Sequence, residues 1–361
     1  MTRLTQRIIR KIQRAQREVI FRARSAGFGS VKAVDGINIA LYLEQVTKIY
    51  DPLTNPFWYY KTLVGELLRV EKLRVVPLCD LLTAPLNGER IISLRHDVDA
   101  DPLTALRCAR YLAFSGIPGS FYLLHTALYY GQFVQNIFVR NPRLPEWITA
   151  FLVTGCELGI HNDCMNIYLN HGLDGAQALI QEILWLREHG ANIQGTVAHN
   201  SGPAYGAENF EIFSGRVLWK RSVRTRQGKR IPLGTLSEAD LGLKYEGGYA
   251  KPKPRVDVTA ASRFFGDLDS ASVRSKAWME QYLLNNPAQD YLTDYEFWLI
   301  GSNQWVVAGK WEGVPLFEWI VSIDRVVSLV KELPLRSRSV FVIHPEYVRG
   351  HSSETDWPPC R

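Results

Sequence analysis

Ile91-Ile92-Ser93-Leu94-Arg95-His96-Asp97-Val98-Asp99 is the stretch on which the fold turns. Residues 91–94 form an apolar run that ends in polar residues and then in Ala100-Asp101-Pro102, a turn signal. Such a run reads as a buried strand that delivers its last side chains to a mouth. Asp97 and Asp99 are two apart, so on a regular strand they share a face. Two crowded carboxylates repel unless a cation or a shared proton separates them. A divalent metal beside a general base is the chemistry such a pair suits. An isolated Asp-x-Asp is more often a solvated turn, because aspartate is ordinarily exposed.

The other histidines tilt the balance. Glu157-Leu158-Gly159-Ile160-His161-Asn162-Asp163 is a short strand-like run ending in His and Asp. Thr196-Val197-Ala198-His199-Asn200-Ser201-Gly202-Pro203 is another, closed by Gly-Pro. Ser339-Val340-Phe341-Val342-Ile343-His344-Pro345 is the clearest. Each places a metal ligand or proton carrier at the C-terminal end of an apolar strand, where parallel α/β barrels build their active sites.

The spacing between these runs predicts alternation. Strand 91–96 is followed by a helix over 103–114, a strand over 120–124, a helix over 144–153 and a strand over 157–161. A helix over 174–189 follows, with Gly190 as its C-cap, and then a strand over 195–199. Residues 61–82 read as helical or mixed. Residues 207–310 read as later strands carrying long loops, 316–333 as a helix, and 339–344 as the last strand. This β-α-β-α order implies a parallel sheet or barrel. The organisation expected is an N-terminal helical extension (1–88), a (β/α) barrel (89–350) and a short tail (351–361).

Bulk composition permits this. The chain has 361 residues, 46% hydrophobic and 22% charged, ordinary values for a globular protein. No apolar run approaches the roughly 18–20 residues that cross a bilayer. With no secretory apolar core at the N-terminus, the expected location is cytoplasmic. The five Cys, at 79, 108, 156, 164 and 360, lack Cys-x-x-Cys spacing and fit reduced thiols.

Net charge is +6, unevenly spread. Residues 1–24 hold eight Arg or Lys against Glu18, with Leu4, Ile8, Ile12, Ala15 and Val19 at helical spacing. This basic amphipathic helix suits packing on its own domain or a second subunit, or peripheral contact with an anionic inner membrane surface. No nucleic-acid-binding signature accompanies the charge, so no such partner is expected. A second basic run, Arg216, Lys220, Arg221, Arg224, Arg226, Lys229 and Arg230, is either a solvated loop or a cradle for an anionic, carrier-linked substrate.

Taken in order, the motifs resemble the polysaccharide deacetylase family, and most closely a divergent branch. The features that carry this are Arg95-His96-Asp97-Val98-Asp99, Glu157 to His161 as a Glu-Ile-Gly-x-His-like motif, His199 before Ser201 and Pro203, and His344-Pro345. The resemblance covers residues 90 to 348. It implies a distorted (β/α) barrel, Asp97 as catalytic base, Asp99 and His161 as metal ligands, and His344 as the acid toward the leaving amine. The cofactor implied is a divalent metal, Zn²⁺ being expected. The usual second motif has a further His four residues on, where this chain has Met165, a poor ligand. Asn162, Asp163 or His199 could complete the site, and His199 is favoured. The expected function is metal-dependent hydrolysis of an N-acetyl group from an N-acetylated sugar or glycan precursor. The alternative is a catalytically silent carbohydrate-binding protein on the same fold, with Trp305, Trp311 and Trp319 stacking on sugars. His125, His171, His189 and His351 read as structural or exposed.

Overall fold

The computed structural model describes residues 57–134, 137–199, 207–216, 222–224, 228–247, 294–301, 304–311 and 314–348. Residues 1–24, expected as a basic helix, the tail and His351 lie outside them. In chain order the strands are β1 (Leu73–Val75), β2 (Arg90–Val98), β3 (Ser120–Leu124), β4 (Gly131–Val134), β5 (Ile137–Arg140), β6 (Glu157–Asn162) and β7 (Gly195–Ala198). Then come β8 (Ser222–Arg224), β9 (Arg230–Pro232), β10 (Tyr245–Glu246), β11 (Tyr295–Gly301), β12 (Gln304–Trp311), β13 (Val314–Ile320) and β14 (Arg338–Ile343).

Ten of these form one sheet in the order β10-β7-β6-β3-β2-β14-β11-β12-β13, with β1 beside the start of β2. From β10 to β11 every neighbour is parallel. The expected crossover helices separate the early strands: Pro102–Phe114, Leu144–Val153 and Gly175–Glu188. Asp101 caps the first, accepting from the Thr104 amide at 3.0 Å, with Pro102 at its first position. Asp174 caps the third, and Gly190 follows it at φ 86°. The architecture is thus mixed α/β, a curled half-barrel sheet that is mostly parallel.

Period-two alternation assigns the two faces of β2. Ile92, Leu94 and Val98 point into the helix-covered core, with helical residues such as Leu63, Leu112 and Ile148. His96 lies on that face too, stacked on Phe121 at 4.2 Å and hydrogen-bonded to Tyr60 Oη at 2.9 Å. Ile91 faces the other way, into a second cluster with Tyr122, Val197, Tyr245, Val340 and Val342. That inner face also carries Arg95 and Asp97, so alternation inside the opening stretch separates packing residues from candidate chemistry.

The inner face is closed below the site by side chains packed on glycine. At Gly195 on β7 a Cβ would collide with the Tyr245 ring. That ring cannot swing away cheaply, because its hydroxyl bonds Tyr122 and Glu157. Glu157 in turn accepts from Ser120 Oγ at 2.7 Å and the Cys79 amide at 3.1 Å. Gly195→Ala is therefore expected to cost about 1–3 kcal/mol by overpacking. In thermal melting this appears as a fall of roughly 2–4 °C per kcal/mol.

One sequence expectation needs correction. The helix expected over 316–333 is in fact β13 followed by the helix Ile323–Glu332. Residues 314–320 pair antiparallel with β12, and Ser322 accepts from the Arg325 amide at 3.2 Å to start the helix afresh. The hydrogen-bonding strand partner, not local apolar spacing, decides the segment. β12 and β13 are also antiparallel, so the later part of the sheet leaves the β-α-β pattern. In addition, the chain from Phe57 onward packs into the same core as the barrel strands. The helix Phe57–Leu68 buries Tyr60, Leu63 and Leu67 there, and β1 pairs with β2.

Candidate metal centre

Parallel strands run in one direction, so their C-terminal ends meet on one rim. β2, β6, β7 and β14 end there with Asp97 and Asp99, His161, His199, and His344. One ligand atom each from Asp99, His161 and His199 lie within 4.8 Å of one another, the group among the described residues that could hold a metal ion. His161 Nε2 is 3.3 Å from Asp99 Oδ1. His199 Nε2 is 3.9 Å from Asp99 Oδ2, and the two imidazole rings stand 5.1 Å apart at 87°. His344 Nε2 approaches the same Asp99 oxygen, Oδ2, at 3.8 Å.

The tautomers show what this arrangement accepts. His161 Nδ1 lies 2.9 Å from the Val197 carbonyl, which can only accept, so Nδ1 carries the proton. The neutral ring then presents the Nε2 lone pair to a carboxylate oxygen. Two acceptors so placed repel unless a cation or a proton lies between them. Asp99 Oδ1 is buried and makes no hydrogen bond. His344 repeats the pattern: its Nδ1 donates to the Leu299 carbonyl at 3.2 Å, turning Nε2 toward Asp99. Two ligands of a tetrahedral ion bound at about 2.0–2.1 Å stand about 3.3 Å apart, so the His161–Asp99 pair fits one edge. The donor set, one carboxylate and two imidazoles, suits zinc or a similar divalent ion with positions left for water and substrate. Burial pushes the Asp99 carboxyl up, yet the imidazolium forms of His161, His199 and His344 hold it well below the usual carboxylate range.

Asp97 is held differently. Arg95 Nε donates to Oδ1 at 2.7 Å and Nη2 to Oδ2 at 2.6 Å, a buried bidentate pair. Arg95 Nη1 also donates to the Gly247 carbonyl at 3.0 Å. Burial alone would raise Asp97, but Arg95 and then His161 pull it below its ordinary value. It therefore stays ionised at neutral pH, 3.8 Å from His161 Nε2. The sequence reading missed this clamp. Its signal was present, since Arg95 and Asp97 share the inner face of one strand.

Met165, four residues past His161, is fully buried in the core. Asn162 donates to Glu246 at 2.9 Å, and Asp163 stands behind His199. His125 directly follows β3 and is buried, its Nε2 accepting from the Asp163 amide at 2.9 Å. It thus stands at a strand end with an acidic neighbour, although it serves the interior. His171 stacks on Phe133 at 4.1 Å and His189 is exposed at a helix end. Trp305 is fully buried and donates to Tyr59 Oη at 2.9 Å, which removes it from any sugar-stacking surface. The side chains of Trp311 and Trp319 lie outside the described residues. Within the basic run, Arg216 pairs with Glu238 at 2.7 Å, while Arg224, Lys229 and Arg230 are exposed.

Two further acids on the inner side escaped the sequence reading. Glu346, just past His344, is buried, and burial plus the Asp99 charge push its carboxyl well up. Glu296 on β11 is pushed up to about 7, burial outweighing the pull of Arg95. An unfolded glutamate titrates near about 4.3. Between those values the folded chain binds more protons than the unfolded one, so stability falls as pH rises through that window. By pH 7 the loss is on the order of 3 kcal/mol. Urea unfolding between pH 5 and 7 should show this decline in the wild type and a shallower one in Glu296→Gln.

The described residues contain four cysteines, all free, and no helix long and apolar enough to cross a membrane. No family model, no curated protein and no solved structure matches this chain.

Proposed function

We propose that this chain is a metal-dependent hydrolase that removes the N-acetyl group from an N-acetylated sugar or glycan precursor, with Zn²⁺ as the ion. The observation that carries the reading is the meeting, on one rim, of three ligands with a clamped carboxylate and a further histidine. Asp99, His161 and His199 would hold the ion. Bound there, it supplies Lewis acidity toward the amide carbonyl and toward water.

The remaining chemistry belongs to the chain. Asp97, ionised and fixed by Nε and Nη2 of Arg95, takes a proton from the attacking water. The water oxygen bonds to the acyl carbon as the carbon–nitrogen bond breaks. His344, oriented through Nδ1 by the Leu299 carbonyl, delivers a proton from Nε2 of its imidazolium form to the departing nitrogen and is left as the neutral Nδ1–H ring. Acetate and a free amino sugar result. The exposed basic residues Arg224, Lys229 and Arg230 are a suitable surface for an anionic carrier on the sugar. Residues 1–24 would serve location or assembly, in the cytoplasm or at the inner membrane surface.

The test is acetate release from N-acetylated sugars, free and carrier-linked, by zinc-loaded protein. Release from at least one of them is the expected result. Metal and sugar binding without acetate from any of them would leave a silent carbohydrate binder and end the hydrolase reading.

A further inference from the structure

The three strand-end histidines are not oriented alike. His161 and His344 each tie Nδ1 to a main-chain carbonyl of the neighbouring strand, Val197 and Leu299. His199 turns its Nδ1 toward a carboxylate, with Asp163 Oδ1 at 3.7 Å. It sits one residue past β7, beyond the strand that fixes its neighbours, and its amide donates to Asn162 O at 2.8 Å.

Asp163 is built to hold still. It is buried, and although it stands at the N-cap of the short helix Cys164–Asn166, its side chain caps no amide there. The carboxylate is instead gripped by three side chains. Thr126 Oγ1 donates to Oδ2 at 2.6 Å, Asn166 Nδ2 to Oδ2 at 2.9 Å, and Asn209 Nδ2 to Oδ1 at 3.2 Å. Asn209 also donates to the His199 carbonyl at 2.7 Å and accepts from the Met165 amide at 2.7 Å. One fully buried asparagine thus fixes both the carboxylate and the backbone of the histidine it faces.

We infer that Asp163 is the positioning residue of His199: it keeps the His199 proton on Nδ1 and so aims the Nε2 lone pair at the metal centre. A carboxylate can only accept, so it selects the tautomer with a proton on the facing nitrogen. A histidine ligand whose other ring nitrogen is held this way is better oriented and more basic toward a metal. The 3.7 Å separation is an ion-pair distance, longer than a direct hydrogen bond. Asp163 is not itself a ligand in this assignment. Asparagine in its place offers an amide donor and loses the preference.

The inference rests on the metal-site reading above, but its test reads metal affinity and not acetate. Zn²⁺ dissociation constants are measured by chelator competition for four proteins: wild type, Asp163→Asn, His199→Ala and the double variant. Asp163→Asn should weaken Zn²⁺ by roughly 10–100-fold. In the His199→Ala background the same change should cost almost nothing, because the residue it acts through is gone. With Co²⁺, the visible spectrum of Asp163→Asn should differ from that of the wild type. Equal losses in both backgrounds would mean Asp163 only supports the fold, and no loss in either would remove the role outright. Thr126→Val, which loosens the grip on Oδ2 but keeps the charge, should repeat the pattern more weakly and serves if Asp163→Asn does not fold. A wild type that binds no Zn²⁺ would overturn the metal site itself, a result distinct from either of these.

Discussion

Protein purified without chelator is expected to carry about one divalent transition metal ion per chain, and His161→Ala is expected to lose it. The site offers Asp99, His161 and His199 and no fourth ligand among the described residues within the same reach. Removing one of three ligands leaves two, which bind an ion too weakly to keep it through purification. His161 is also the ligand closest to Asp99 and the one whose tautomer is fixed by main chain. Loss of an outer-shell partner alone typically costs 10–100-fold, so loss of this ligand should exceed about 100-fold. Elemental analysis reads the outcome directly. An unchanged, stoichiometric metal content in His161→Ala would dismiss the assignment.

Asp97→Asn and His344→Ala should each lower acetate release by roughly 10²- to 10⁴-fold while metal content holds. The two variants differ in stability. Asp97→Asn leaves the buried Arg95 guanidinium without its carboxylate, a change worth about 3–5 kcal/mol of destabilisation. His344→Ala empties a half-buried position at the rim and should melt close to the wild type. The combined Arg95→Met and Asp97→Asn variant removes both charges. It should recover stability without recovering turnover, which separates a missing base from a damaged fold. The pH profile follows from the same clamp. Asp97 must be ionised to take a proton, and Arg95 holds it below the ordinary carboxylate value of about 3.9. Asp97 should therefore remain a competent base down through pH 5, so an acid limb in the rate above that pH belongs to another group. An Asp97→Asn protein with wild-type turnover would remove the base assignment and leave the metal site intact.

Much of the site is legible in the chain because strands report their own ends. An apolar run that stops at a polar residue announces where the sheet surfaces, as at His344 and His161. Alternation over 91–99 already places Asp97 on the face opposite the buried Ile92, Leu94 and Val98. The helix Gly175–Glu188 is legible for a similar reason: its Asp174 cap and the glycine after it are local signals.

What the chain does not announce is which partner each residue meets. Residues 314–320 have apolar character that suits a helix, and only pairing with β12 makes them a strand. Nothing in the chain singles out Glu296 and Glu346, and only the packing around them leaves them buried. Asp163 shows in sequence as one of several candidate ligands. The grip of Thr126, Asn166 and Asn209, contributed by separate parts of the chain, turns it into a support for His199.

The sequence by itself determined the parallel strand-and-helix order and the rim residues Asp97, Asp99, His161, His199 and His344. Each of these follows from local periodicity and from the end of an apolar run. Only the tertiary structure decided that Asp99, His161 and His199 converge, that Arg95 clamps Asp97, and that Met165 is core. Distances across strands depend on register and on the curl of the sheet, and no residue encodes those alone.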